Sequence, residues 1–77
     1  MDDRAMTFGE RAVGLTFNPS GDPLVSELKK LSAAFIDECN HCREQATDPE
    51  VKRMYSLAVT DAQTAQMWAV KAATWRS

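Results

Sequence analysis

"TDPE", residues 47–50, decides the fold of this chain. Asp48 supplies a side-chain oxygen that caps a helix, Pro49 suits the first helical position, and Glu50 places a negative charge in the first turn. On both sides apolar residues recur at steps of three and four. Upstream, Val25, Leu28, Leu31, Phe35, Cys39 and Cys42 predict a helix over 23–46 with one buried face. Downstream, Val51, Met54, Ala58, Ala62, Ala65, Trp68 or Ala69, and Ala72 predict a second over 49–75. Two long helices joined by so short a loop make an antiparallel hairpin, each arm roughly 35–40 Å long.

Working back toward the N-terminus, Asp22-Pro23 repeats the same punctuation and opens the first long helix, with Ser20 as the other residue able to do so. Residues 14–22, "GLTFNPSGD", read as a loop. Asn18 is held extended by Pro19, and Pro19-Ser20-Gly21 has turn chemistry. Thr7-Phe8-Gly9-Glu10 fits a capping box and Gly14 fits a left-handed helix end, which together predict a short helix over 8–13. Nothing suggests a strand. The expected fold is all-α, a single domain over 1–77: a short N-terminal helix, then a helical hairpin.

A hairpin cannot surround its own apolar faces. Leu24, Ala34 and Ile36 sit beside the stripe of the first arm, and Tyr55, Leu57, Val59, Met67, Val70 and Trp75 lie outside that of the second. These side chains need cover, and Trp68 reads as a packing residue. An obligate homo-oligomer of packed hairpins is expected.

Composition narrows the function. The 77 residues are 44% hydrophobic, with three Gly and three Pro, which is not a disordered composition. Nine basic residues against eleven acidic ones leave a net charge of -2, which argues against a protein that coats DNA or RNA. The N-terminus lacks the apolar core of a signal peptide and no apolar run approaches a membrane span, so an intracellular protein with reduced thiols is expected.

"CNHC", residues 39–42, resembles a metal site at first sight. Structural zinc takes four ligands, there is no second cluster, and His41 points away from the face shared by Cys39 and Cys42. Two small core thiols and a surface histidine are expected, with no metal and no cofactor. Asp37, Glu38, Glu44 and Asp61 lie on long helices, where a solvated face explains them, and His41 has no evident nucleophile, so no catalytic residue is assigned. Lys29-Lys30 is more suggestive. Lysine early in a helix opposes the macrodipole, an anion there would remove the conflict, and the helix start offers backbone N–H groups suited to phosphate. Arg11 is close in sequence, Phe17 offers a face on which a base can stack, and Asn18 and Ser20 can read base edges or phosphate oxygens. A solvated pair of lysines and a Phe17 that merely plugs the hairpin explain the same residues.

"GERAVGLTFNPSGDPLVSELKKL", residues 9–31, together with "DPEVKRMYSLAVTDAQTAQMWAVKA", residues 48–72, resembles the phage anti-CBASS cyclic-oligonucleotide sponges, whose hairpin module is shared with a class of anti-Thoeris sponges. The resemblance implies a non-enzymatic homohexamer that acts in the cytoplasm of the infected bacterial host. It implies cyclic dinucleotides, such as cyclic GMP–AMP, held between subunits and hidden rather than cleaved, and cyclic trinucleotides held in a separate site. It places Lys29 on ligand phosphate within Val25-Ser26-Glu27-Leu28-Lys29, with Lys30 behind it. Glu10, Arg11, Phe17, Asn18, Pro19 and Ser20 complete the dinucleotide set, and Gly9 and Lys71 are assigned to the trinucleotide site. A branch of the family carries Gly-Tyr-Arg with a stacking tyrosine where this chain reads Gly9-Glu10-Arg11; either Phe8 or Phe17 replaces the ring, or the pocket is read differently. A sponge for a cyclic ADP-ribose isomer, and a helical protein-interaction or antirepressor module without a nucleotide ligand, are the other readings.

Overall fold

A computed structural model of the chain describes residues 5–19 and 21–76. Among them it is entirely helical, in the order α1 (Phe8–Val13), α2 (Pro23–Gln45) and α3 (Pro49–Ala73). The two long helices end a residue or two short of 46 and 75.

Each boundary has the cause its sequence suggests. The Thr7 side chain accepts from the Glu10 N–H at 3.0 Å while the Thr7 N–H donates to Glu10 Oε1 at 2.9 Å, closing the capping box. Gly14 adopts φ 61°, ψ 55°; its N–H donates to the Arg11 carbonyl and the Leu15 N–H donates to that of Glu10, the paired bonds of a Schellman end. Asp22 and Asp48 cap α2 and α3, each accepting from the N–H two residues on, with proline at the start of the helix.

The three helices lie nearly side by side in a slab of 45 × 34 × 12 Å, with α2 packed against both α3 and α1. Gly9 permits the second of these contacts. A Cβ there would stand 2.2 Å from the carbonyl oxygen of Ala33, so only a glycine lets α1 lie this close to α2. The Gly9 N–H then donates to Asp37 Oδ1 at 2.7 Å, and Gln63 Nε2 on α3 donates to the Ala12 carbonyl at 3.0 Å. α1 is thus pinned to both arms.

The inward face differs from the expected one. Val25, Lys29, Ala33, Ile36 and Cys39 are buried on α2, and Val59 and Gln66 on α3, with Tyr55, Ala58 and Ala62 packed against them. Ile36, expected at the side, is fully buried. Leu31 and Phe35, expected inside, are 61% and 55% exposed, and Trp68 is 66% exposed. Ala33, Cys39, Ala58 and Ala62 keep the inner face narrow around Ile36, and most of the larger apolar side chains lie on the outer side. On α2 the outer stripe is Leu24, Leu31 and Phe35; on α3 it is Met54, Leu57 and Trp68, with Trp75 just beyond the end of the helix. Among the described residues the chain leaves more large apolar side chains on its surface than it buries.

Candidate functional site

The loop after α1 folds back over the start of α2 and the end of α3. Lys29 is the clasp. Its side chain is 5% exposed, and its ammonium donates to the carbonyl of Gly14 at 2.9 Å and to the carbonyl of Phe17. The same ammonium lies 5.4 Å from the centroid of the Phe17 ring, within cation–π range. The ring itself is 72% exposed, so one of its faces is available for stacking.

A cleft of about 430 Å³ opens beside this clasp, in the range of small-molecule pockets. Val13, Gly14 and Phe17 line it from the loop side, Lys29 from α2, and Gln66 and Val70 from α3. It therefore combines an ammonium, an exposed aromatic ring, a carboxamide and an apolar wall.

The other assigned residues divide. Asn18 is engaged within the loop: its Nδ2 donates to the Asp22 carbonyl at 2.9 Å and to Ser26 Oγ at 3.0 Å, and its Oδ1 accepts from the Asp22 N–H at 3.2 Å. It shapes the turn that starts α2. Glu10 completes the capping box, and Arg11 Nη1 donates to the Met6 carbonyl at 2.8 Å from an exposed position. Pro19 and Lys30 are exposed, and Ser20 lies outside the described residues. Gly9 is buried at the contact between α1 and α2, where its visible role is structural.

Lys71 belongs to a different place. Its ammonium lies 5.5 Å from the Trp68 ring and 5.9 Å from the Trp75 ring, and with Ala72 these residues line a second cleft of about 400 Å³ on the outer face of α3. Trp68 lies roughly 200° around the helix from Gln66, so the two clefts open on opposite sides of α3.

"CNHC" yields one buried free thiol, Cys39, one half-buried free thiol, Cys42, and an exposed His41. Burial pushes the Cys39 thiol up, and the neighbouring Cys42 and Glu38 add to the effect. Among the described residues no three His, Cys, Asp or Glu side chains are grouped to hold a metal ion. None of the described helices is long and apolar enough to cross a membrane.

Sequence reasoning passed over Gln66. A glutamine amid alanines on a helix reads as a solvated residue. The signal that finds it is the hairpin register: Lys29 and Gln66 stand equally far in sequence from the turn at Thr47-Asp48, so antiparallel arms bring them to the same level.

No curated protein and no solved structure matches the chain significantly. A family model does: the Acb2/Tad1 hairpin domain, over residues 10–74. That span takes in the loop, the clasp and both long helices, and the chain belongs to the Acb2/Tad1 hairpin-domain family of anti-CBASS and anti-Thoeris sponges, which are binding proteins.

Proposed function

We propose that this protein is a phage-encoded sponge: it binds cyclic di- and trinucleotide immune messengers without cleaving them and so keeps CBASS effectors off in the cytoplasm of the infected host. The match of residues 10–74 to the sponge hairpin carries this reading. The chemistry of the clasp cleft supports it. An ammonium has three N–H donors; Gly14 and Phe17 take two from Lys29 and leave the third for a phosphate oxygen. Phe17 supplies a stacking face, and Arg11 and Lys30 lie exposed nearby in sequence as further cations. Pro19 lies exposed on the loop wall, Glu10 and Asn18 hold that wall in shape, and Ser20 is kept in the proposed set for its hydroxyl. The outer cleft of Lys71, Trp68 and Trp75 is the candidate trinucleotide site.

The working form is a homo-oligomer, a hexamer in this reading, built on the outer stripes of α2 and α3. A subunit interface would close the clasp cleft and present Lys29 twice to a ligand with two phosphates. The shared hairpin also favours a second ligand class, a cyclic ADP-ribose isomer, which offers the same combination of base and phosphates.

Calorimetry with cyclic dinucleotides, cyclic trinucleotides and ADP-ribose isomers separates these readings. Tight binding of a cyclic di- or trinucleotide is expected. Binding of an ADP-ribose isomer alone transfers the protein to the anti-Thoeris class. Binding of none, by an assembly that still exposes an apolar face, favours a protein-interaction module.

A further inference from the structure

α1 has six residues, too few to hold a helix by themselves, so its place depends on what ties it down. It packs chiefly on α2, where Asp37 accepts from the Gly9 N–H near its start and Lys29 donates to the Gly14 carbonyl just past its end. Gln63 ties it to α3. The amide nitrogen of Gln63 donates to the Ala12 carbonyl at 3.0 Å from a half-buried position. That carbonyl belongs to the last turn of α1, whose oxygens lack partners inside the helix. The Schellman end satisfies those of Glu10 and Arg11, and Gln63 satisfies the next.

This bond has a particular place. Ala12, Val13 and Gly14 form one wall of the clasp cleft, and Gln66, Met67 and Val70 form the wall on α3. Gln63 lies one turn before Gln66 and does not itself line the cleft. We propose that Gln63 is a positioning residue: without touching the ligand, it sets the spacing between the α1 wall and the α3 wall of the clasp cleft. This rests on the sponge reading above. Lys29 cannot do the same, because it ties the loop to α2 and leaves the distance to α3 open. Asp37 cannot either, because it holds the far end of α1, where Phe8 and Gly9 lie outside the lining. A wall fixed before the ligand arrives spares the complex the entropy of ordering it, so the Gln63 bond should appear in the affinity more than in the stability of the fold.

The test compares the affinity for cyclic GMP–AMP, by calorimetry, with the urea midpoint in the wild type, Gln63→Met and Asp37→Ala, at equal oligomer mass by light scattering. Gln63→Met keeps the length of the side chain and removes its donor. Asp37→Ala frees the start of α1 instead. It deletes a hydrogen bond to a charged group and should show the larger fall in midpoint. Affinity should run in the opposite order. Gln63→Met should bind about three- to tenfold more weakly than the wild type, and Asp37→Ala less than about twofold more weakly. A merely structural role would make affinity follow stability. Wild-type affinity in Gln63→Met, or a loss in Asp37→Ala at least as large as that in Gln63→Met, therefore overturns the role of Gln63 and leaves the sponge reading standing. Absence of binding by the wild type overturns both.

Discussion

Lys29 and Phe17 are joined in two ways: the lysine ammonium donates to the phenylalanine carbonyl and rests 5.4 Å from the centroid of its ring. With the bond to Gly14 at 2.9 Å, one buried side chain fixes both the start and the middle of the loop. The residue proposed to meet ligand phosphate is therefore also the residue that shapes the wall of the cleft.

This dual position makes Lys29→Ala a stability mutation as well as a binding mutation. Removing the ammonium leaves two carbonyls without their charged partner, a loss of about 1.5–3 kcal/mol. A lower urea midpoint is expected together with weakened dinucleotide binding. An unchanged midpoint would place the lysine in solvent and contradict the clasp.

Gly9→Ala should lift α1 from α2. The added Cβ would meet the Ala33 carbonyl oxygen at 2.2 Å, a clash with backbone that no rotamer relieves. Asp37→Ala removes only the acceptor of the Gly9 N–H and should be the milder change, about 1–3 kcal/mol. Hydrogen exchange reads the difference: amides of α1 lose protection in both variants, those of the α2–α3 contact far less. Equal loss across the chain would mean that α1 is integral to the hairpin rather than docked on it.

Trp68 tests the outer stripe. It is 66% exposed in the single chain, so Trp68→Ala removes little intramolecular packing. If the stripe joins subunits, the variant falls to a smaller mass by light scattering, and its melting temperature becomes strongly dependent on protein concentration. A variant of full mass assigns Trp68 to the outer cleft with Lys71 instead.

The two thiols should react unequally. Thiolate is the reactive form, and burial holds Cys39 protonated at pH values where an ordinary thiol begins to ionise. Iodoacetamide at pH 8 should modify Cys42 well before Cys39, with urea abolishing the difference; peptide mass spectrometry reads the order. The linkage has a definite sign. A thiol whose folded-state pKa is raised favours the folded state below the ordinary thiol pKa, and that contribution is lost as pH rises through the raised value.

Helix boundaries were legible because local chemistry sets them. Thr7 with Glu10, Gly14, Asp22-Pro23 and Asp48-Pro49 each satisfy backbone groups within a few residues of themselves. The inward face was not, because it depends on the partner helix. Counting apolar bulk selects Leu31, Phe35 and Trp68, whereas close packing of the arms selects Ala33, Ile36, Ala58 and Val59 and tolerates Lys29 and Gln66. In a hairpin with two apolar faces, hydrophobic periodicity finds the larger residues and cannot tell which face is turned inward. The candidate site was legible in its cation, from the lysine pair early in α2, and in its ring, from the loop before it. Gln66 was hidden, since only the packing of the arms turns it into the cleft wall.

The account rests on retention without cleavage, and one measurement addresses it directly. The purified protein is mixed with cyclic GMP–AMP, the filtrate is assayed for free messenger, and the retained protein is then heat-denatured and the released small molecules weighed by mass spectrometry. The account predicts a filtrate depleted of messenger and full recovery of the intact cyclic molecule after heating. A filtrate that still holds all the messenger, or recovery of linear or hydrolysed products, would contradict it.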